Sequence, residues 1–259
     1  MSATMGTATG LGYDLAVSLD PARLMAVCGL PPDPWQRQVL RSSSQRQLLL
    51  ACRQSGKSTT TACLALHTAL YQPGALVLLL SPSLRQSQEL FKKVQDAYSM
   101  LGNPTRMLAE SALRLELTNG SRIISLPGTE QTIRGYSGVS LLVIDEAARV
   151  ADELYYSVRP MLAVSGGRLV ALSTPWGKRG WFYEEWERGQ GWERTRIVAE
   201  QCLRIPADFL AEERRTMPLI WFDSEYGCLF GETVNSVFRG EDIEEMFAQD
   251  VQPLFPGGI

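Results

Sequence analysis

A short polar loop between an apolar run and a helical stretch carries the residue types best suited to chemistry in this sequence. Residues 48–51 are typical of a buried strand, and residues 57–70 have apolar side chains at helical spacing. Backbone N–H groups at the start of such a helix carry partial positive charge and bind phosphate oxygens. Gly56 lets the backbone approach a phosphate, Lys57 adds a full charge, and the Ser58 hydroxyl can ligate Mg²⁺. The pattern predicts a nucleotide-binding loop made of Arg53, Gln54, Ser55, Gly56, Lys57, Ser58 and Thr59.

This loop departs from the usual phosphate-binding pattern at its first position. The pattern G-x-x-x-x-G-K-[ST] has a glycine where this sequence has Ala51. The strand before the loop and the helix after it supply the context that the pattern requires. That context favours a phosphate site over the alternative, a surface turn that happens to contain Gly-Lys-Ser.

Two adjacent carboxylates, Asp145 and Glu146, directly follow a second buried strand at residues 141–144. Ligands of open α/β sheets bind at the carboxyl ends of the strands. Asp145 can hold the Mg²⁺ that Ser58 also binds, usually through a water, and Glu146 can orient and deprotonate a water that attacks the γ-phosphate. The alternative is that Asp145 caps a helix and Glu146 is merely exposed. Beside a phosphate loop, the pair predicts Mg²⁺-dependent hydrolysis of ATP.

Ser173 and Thr174 end a further apolar stretch, residues 169–172, and a proline follows them. A hydroxyl at this position could donate to the attacking water or to Glu146, and could so couple the γ-phosphate to the rest of the domain. Capping of the strand end is the alternative reading.

Two arginines are candidates for stabilising charge on the transferred phosphoryl group, because a guanidinium matches phosphate oxygens. Arg53 lies within the loop itself. Arg134 lies between Gly128 and Gly135, which indicates a loop that could reach a neighbouring subunit. Solvation of Arg134 at the surface is the rival interpretation.

Trp35 and Gln36 lie just upstream of the phosphate loop. A glutamine side chain has both a donor and an acceptor, which match the exocyclic amine and ring nitrogen of adenine. Gln36 is therefore a candidate for reading the base. A solvent-exposed glutamine at the start of a helix is the alternative.

Composition excludes several classes of protein. The chain has 259 residues and a net charge of −3, so it has no overall basic field, and any contact with nucleic acid must come from a local patch. Its five cysteines lack C-x-x-C spacing, and its single histidine excludes a histidine-based metal site or a Ser-His-Asp triad. No signal peptide or membrane-spanning run is present. We expect a soluble intracellular protein without membrane contacts.

Apolar strands alternate with helical patterns along the chain, which predicts an α/β fold with a mainly parallel central sheet and helices on both faces. Alternating residues around Asn119-Gly120 predict an antiparallel hairpin, and residues 192–199 resemble an edge strand. We predict three segments. These are a flexible arm at residues 1–29, a nucleotide-binding core at 30–200, and a lid or linker at 201–259.

Together these motifs resemble the bacteriophage large terminase subunits, the DNA-packaging ATPases. Residues 52–58 look like the deviant phosphate loop of that family, which often lacks the first glycine. The ordered set continues with Trp35-Gln36, residues 133–135, residues 143–148 and Ser173-Thr174-Pro175. The resemblance covers residues 30–240 and implies a P-loop NTPase fold of the ASCE or RecA-like class.

The resemblance further implies a role for each arginine. Arg53 would sense or switch at the γ-phosphate, and Arg134 would be an arginine finger inserted into the next subunit's site. It implies ATP and Mg²⁺ as cofactors, and double-stranded DNA, a portal protein and a small terminase subunit as partners. The active form would be a ring, which we expect to be a pentamer, in the host cytoplasm, with a monomer in isolation. Members of the family continue into a nuclease domain, and the chain ends at Ile259 before any cluster of aspartates, so we expect an isolated motor domain without nuclease activity.

Two alternatives remain open on the sequence. A superfamily 2 helicase or restriction-type translocase shares the phosphate loop, the Asp-Glu pair and a similar coupling motif, but it needs a second RecA-like domain. A nucleotide-binding regulator would bind ATP without hydrolysing it.

Overall fold

An eight-stranded sheet forms the centre of the molecule in a computed structural model, which describes residues 10–128, 133 and 135–231. The strands are β1 Arg46–Ala51, β2 Leu76–Ser81, β3 Met107–Ser111, β4 Arg114–Leu117, β5 Arg122–Pro127, β6 Leu141–Asp145, β7 Arg168–Ser173 and β8 Glu193–Ile197. Their order is β3-β4-β5-β2-β6-β7-β1-β8. All pairs from β5 to β8 in this order are parallel, and β4 is antiparallel to both β3 and β5. The predicted mainly parallel α/β fold is confirmed.

Helices cover the sheet and connect its strands. They are α1 Leu11–Ser18, α2 Pro21–Val27, α3 Pro34–Arg41, α4 Lys57–Tyr71, α5 Leu84–Met100, α6 Asp152–Val158, α7 Gly180–Glu187, α8 Ala207–Thr216 and α9 Leu219–Glu225. Among the described residues, no helix combines the length and apolarity needed to cross a membrane.

The middle residues of the central strands are apolar, and they are buried on both faces of the sheet. Leu48, Leu78 and Val143 are each 0% exposed, so side chains that point to opposite faces of the sheet are equally buried. Burial on this scale is the main favourable contribution to the stability of the domain.

The strand order brings three chemically important strand ends to one edge of the sheet. β7 lies between β1 and β6, with Leu50 opposite Ser173 and Leu172 opposite Asp145. Because these strands are parallel, their carboxyl ends meet at this edge. The phosphate loop, the acidic pair and the predicted coupling residues therefore leave the sheet side by side.

The predicted hairpin is confirmed, and the structure extends it. β4 and β5 are joined through Asn119-Gly120, where Gly120 has φ +82° and the Asn119 side chain accepts from Ser121 N at 3.0 Å. β3 adds a further antiparallel strand that we did not predict. Most of its side chains are exposed, so it lacks the apolar alternation that would identify it.

The prediction of a flexible arm at residues 1–29 is wrong for residues 11–27, which form α1 and α2. Asp20 caps α2 by accepting from Ala22 N at 3.0 Å, and Leu24 and Met25 are each 0% exposed in the core. Small residues dominate positions 2–10, whereas residues 11–27 contain four leucines, so the composition at the start of the chain does not extend to the two short helices. Residues 1–9 lie outside the described residues.

The chain after residue 201 returns to the phosphate loop. Arg53 N donates to Glu225 O at 3.1 Å, Ala199 N donates to Tyr226 O at 2.9 Å, and Cys228 is 2% exposed. A lid or linker role for residues 201–259 stays a prediction, and residues 232–259 lie outside the described part of the chain.

Candidate active site

The phosphate loop is a tight bend between β1 and α4. Gln54 and Gly56 both have positive φ, 59° and 87°, and the buried Ser55 hydroxyl donates to Cys52 O at 2.9 Å. Gly56 is the residue before α4, and as a glycine it has no side chain that could accept from the N–H groups at the start of that helix. These N–H groups carry the partial positive charge of the helix start and remain available to an anion. Thr59, in the first turn of α4, is half-buried.

The acidic pair lies directly beside the start of α4. Ser58 Oγ donates to Asp145 Oδ2 at 2.9 Å, and Lys57 Nζ lies 3.2 Å from Glu146 Oε1. Burial raises the pKa of the Asp145 carboxyl, while the positive charge of Lys57 opposes that effect. Two residues that lie 87 positions apart in the sequence, Ser58 and Asp145, are thus in direct contact.

The oxygens of Ser58 and Asp145 suit a magnesium ion. Adjacent ligands in an octahedron with bonds of about 2.1 Å lie about 3 Å apart, and these two oxygens are 2.9 Å apart. Mg²⁺ typically takes one or two protein ligands and completes its shell with water and substrate phosphates. Within the described residues, no group of three or more histidine, cysteine, aspartate or glutamate side chains could hold a metal alone. A hydroxyl and a carboxylate beside a phosphate loop are oxygen donors of the kind that Mg²⁺ prefers.

Glu146 has both carboxylate oxygens in contact with cations. Oε1 lies near Lys57, and Oε2 lies 3.0 Å from Nη1 of Arg149. The backbone at Glu146 is left-handed, with φ 50°, a conformation that non-glycine residues rarely adopt outside constrained sites. Sequence reasoning missed Arg149, because one arginine after two alanines carries no recognisable pattern.

The two predicted coupling residues differ in their surroundings. Ser173 is 0% exposed at the end of β7, and its hydroxyl has no hydrogen-bond partner among the described residues. Thr174 Oγ1 accepts from Arg149 Nη1 at 3.3 Å. Thr174 is therefore connected to Glu146 through Arg149, and the direct hydrogen bond to Glu146 that we considered is not formed in this structure.

Gln36 is completely buried, so the alternative of a solvent-exposed glutamine is wrong. Its Nε2 donates to Thr60 Oγ1 at 2.8 Å, and its Oε1 accepts from Asp33 N at 2.8 Å and from Arg204 Nη2 at 2.9 Å. These bonds fasten α3 to the first turn of α4. They also occupy the amide oxygen, so contact of that oxygen with an adenine amine requires at least one of its two donors to move. Trp35 is 8% exposed, and its Nε1 has no hydrogen-bond partner among the described residues.

Arg204 also approaches the phosphate loop, and we did not single it out from the sequence. Besides its bond to Gln36 it pairs with Asp33, and a Cβ placed on Gly56 would lie 3.2 Å from Arg204 Nη1. A cation from the chain beyond β8 therefore lies against the loop.

Arg53, one of the two predicted phosphoryl-stabilising arginines, pairs with a residue outside the acidic pair. The Arg53 side chain is 63% exposed, and its Nε forms an ion pair with Glu225 Oε2 at 2.9 Å. Arg134 lies outside the described residues. Lys57, Ser58, Asp145 and Glu146 thus form the assembled part of the site, and Arg53 faces α9.

A family model identifies the chain at this point. The model described as "Terminase large subunit, T4likevirus-type, N-terminal" matches residues 48–245, which is most of the sequence. The chain belongs to this family.

Two relatives illustrate how much of a terminase this chain covers. The large terminase subunit of Thermus phage G20c is 26% identical over an alignment of 258 residues that covers 85% of this chain and 53% of that protein. The probable large terminase subunit of Enterobacteria phage P7 is 24% identical over 170 residues, which cover 60% of this chain and 34% of that protein. This terminase chain therefore spans about half the length of the first relative and about a third of the length of the second.

Solved terminase structures share the fold. The large terminase ATPase domain of Thermus phage P74-26 superposes with a TM-score of 0.72 at 22% identity, covering 82% of this chain and 100% of that domain. The large terminase of another thermophilic bacteriophage, solved in complex with ADP, superposes with a TM-score of 0.61 at 12% identity over 80% of this chain and 53% of that one. The terminase chain therefore has the P-loop ATPase-domain fold that the resemblance implied.

Proposed function

We propose that this chain is the ATPase motor domain of a large terminase, and that it hydrolyses MgATP to move double-stranded DNA into a procapsid. The observation that carries the proposal is the pair of contacts across the site, Ser58 to Asp145 at 2.9 Å and Lys57 to Glu146 at 3.2 Å. These contacts support the proposal because the two oxygens assigned to Mg²⁺, the cation assigned to the phosphates and the carboxylate assigned as general base lie within one small volume.

Each residue then has a distinct role. The loop N–H groups and Lys57 bind the β- and γ-phosphates, Ser58 and Asp145 hold Mg²⁺, and Glu146 orients the attacking water and accepts its proton. A Mg²⁺ ion held there would supply positive charge that offsets the charge of the phosphates. Lys57 must exchange Glu146 for a phosphate when ATP binds, and this exchange releases Glu146 Oε1 to accept from a water.

The remaining roles and partners are part of the same proposal. Arg53 reaches the γ-phosphate after leaving Glu225, and Arg134 acts from a neighbouring subunit as an arginine finger. Trp35 and Gln36 lie beside the base, and Ser173 and Thr174 couple the site to the domain. The partners are double-stranded DNA, a portal protein, a small terminase subunit and further copies of this chain in a ring, expected to be pentameric, in the host cytoplasm. Two solved terminases of the same fold, one an ATPase domain and the other a complex with ADP, support the proposed binding and hydrolysis of ATP.

Phosphate release and ATP binding, measured on four variants, test the proposal. Lys57→Ala should lose ATP binding or turnover by at least about tenfold, because the charge that faces the phosphates is gone. Glu146→Gln should keep ATP affinity within about threefold while turnover falls by about 10²-fold or more, because only the base is lost. Lys92→Ala and Glu89→Gln, at exposed positions on α5, are the matched controls and should behave as wild type.

Two results would overturn the hydrolytic role. Unchanged ATP turnover in Lys57→Ala would show that the loop is not the phosphate-binding site. Tight ATP binding without phosphate release at any protein concentration would favour the nucleotide-binding regulator instead.

A further inference from the structure

Arg149 connects the acidic pair to the end of β7. Its Nη1 lies 3.0 Å from Glu146 Oε2 and 3.3 Å from Thr174 Oγ1. One guanidinium nitrogen carries two hydrogens, so Nη1 can donate to both oxygens at once. The side chain of Arg149 is 27% exposed, so solvent screens its charge only partly.

The backbone and an aromatic ring hold Arg149 in this place. A 3₁₀ turn at Ala147–Arg149 closes with Arg149 N donating to Glu146 O at 2.8 Å, which puts the two side chains on one side of the turn. The guanidinium carbon lies 4.3 Å from the centroid of the Trp176 ring. A guanidinium over an indole face is attracted to it, which restricts where the hydrogen-bonding edge of Arg149 can point.

Lys57 and Arg149, the two cations in contact with Glu146, respond differently when ATP binds. Lys57 is needed by the phosphates and must leave Oε1. Arg149 is anchored by Thr174 and Trp176, neither of which belongs to the phosphate loop, and it can keep its contact with Oε2. One oxygen of Glu146 is then free for a water while the other fixes the direction of the carboxylate.

We propose that Arg149 is a positioning residue that holds Glu146 in its water-activating orientation and links that orientation to Thr174. The inference rests on the proposed hydrolysis of ATP by this site. In this proposal the effect of Arg149 on hydrolysis depends entirely on Glu146, and a variant that lacks the Glu146 carboxylate can test that dependence. Arg149 itself need not touch the nucleotide.

Measurements of the single-turnover hydrolysis rate and of the Kd for ATP distinguish a positioning role of Arg149 from a general structural role. Arg149→Gln should slow hydrolysis by about 10- to 100-fold, since a misaimed catalytic group costs this much, while the Kd for ATP stays within about threefold. Arg149→Lys should recover part of the loss, because it keeps the charge but not the double contact. Arg159→Gln is the matched control. Arg159 also lies over an aromatic ring, Tyr155, at 5.3 Å, and no contact with Glu146 or Thr174 is found for it in the described part of the chain.

Combination with Glu146→Gln gives the sharpest outcome. If Arg149 acts through Glu146, adding Arg149→Gln to Glu146→Gln should slow hydrolysis by less than about twofold, because the group that it positions is already lost. A multiplicative loss in the double variant would overturn the proposal.

Fluorescence of the nucleotide-free protein tests the geometry without turnover. The Trp176 emission, taken as the difference from Trp176→Phe, should change in Arg149→Gln and stay the same in Arg159→Gln. An unchanged Trp176 signal in Arg149→Gln would contradict the stacked arrangement. If the wild-type protein does not hydrolyse ATP, the proposed function is wrong. If the wild-type protein and Arg149→Gln hydrolyse ATP at the same rate, only the inference about Arg149 is wrong.

Discussion

At the scale of single residues, the site concentrates backbone conformations that most residues avoid. Gln54 and Glu146 are two of the four non-glycine residues with positive φ in the described chain, and Gly56 has φ +87°. Left-handed conformations cost about 1–2 kcal/mol for residues with a Cβ. They persist here because the bend must turn N–H groups inward and the strand end must aim a carboxylate.

Gly56→Ala tests the close approach at the loop. A Cβ at this position would lie 3.1 Å from Gln36 Nε2 and 3.2 Å from Arg204 Nη1, in addition to the unfavourable φ. We expect ATP affinity to fall by about tenfold, as a calorimetric titration would measure. Gly74→Ala is the matched control, because Gly74 has φ +74° but no neighbour within 4 Å of the added Cβ. Equal ATP affinities for the two variants would contradict a specific role for Gly56.

At the scale of elements, α2 and α3 are part of the core that supports the site. Leu24 and Met25 of α2 are fully buried, and α3 is fastened to α4 through Gln36 and Thr60 at 2.8 Å. The phosphate loop is thus held from β1, from α4 and from the helices before the sheet. The segment that the sequence suggested was a loose arm contributes to stability.

Leu24→Ala measures that contribution. Removing a fully buried leucine side chain should lower the free energy of unfolding by about 2–5 kcal/mol, as urea denaturation would show. Leu19→Ala is the control, because Leu19 is 77% exposed and its loss should change stability by less than about 0.5 kcal/mol. Equal stabilities of the two variants would show that α2 is not part of the cooperative core.

At the scale of the whole molecule, the described part of the site does not include a predicted phosphoryl-stabilising arginine. Arg53 is paired with Glu225, and Arg134 lies outside the described residues. The chain also has a net charge of −3, so any attraction to the proposed DNA partner must come from a local surface or from an assembly. We therefore expect the isolated chain to hydrolyse ATP slowly, because an arginine supplied in trans contributes on the order of 10³-fold or more.

Mixing two inactive variants tests whether Arg134 acts between subunits. Arg134→Ala chains keep Glu146, and Glu146→Gln chains keep Arg134, so mixed assemblies should contain some complete sites. ATPase activity of the mixture should exceed that of either variant alone under conditions where the chains associate. Co-assembly in ultracentrifugation without any recovery of activity would refute action in trans.

The sequence by itself determined the fold class, the buried strands, the helix after Gly56 and the hairpin at Asn119-Gly120. These features follow from the period of apolar residues and from backbone preferences, which act over a few residues. The identities of Lys57, Ser58, Asp145 and Glu146 as site residues also came from local patterns.

Only the tertiary structure decided which side chains meet. The parallel order β6-β7-β1 brings Ser58 to Asp145 and makes Arg149 the link between Glu146 and Thr174. Packing of α3 and of the chain beyond β8 against the phosphate loop buries Gln36 beside Arg204. It also turns Arg53 toward Glu225. Contacts between residues far apart in sequence depend on strand order and on the packing of helices against the sheet, and no local pattern of residues contains that information.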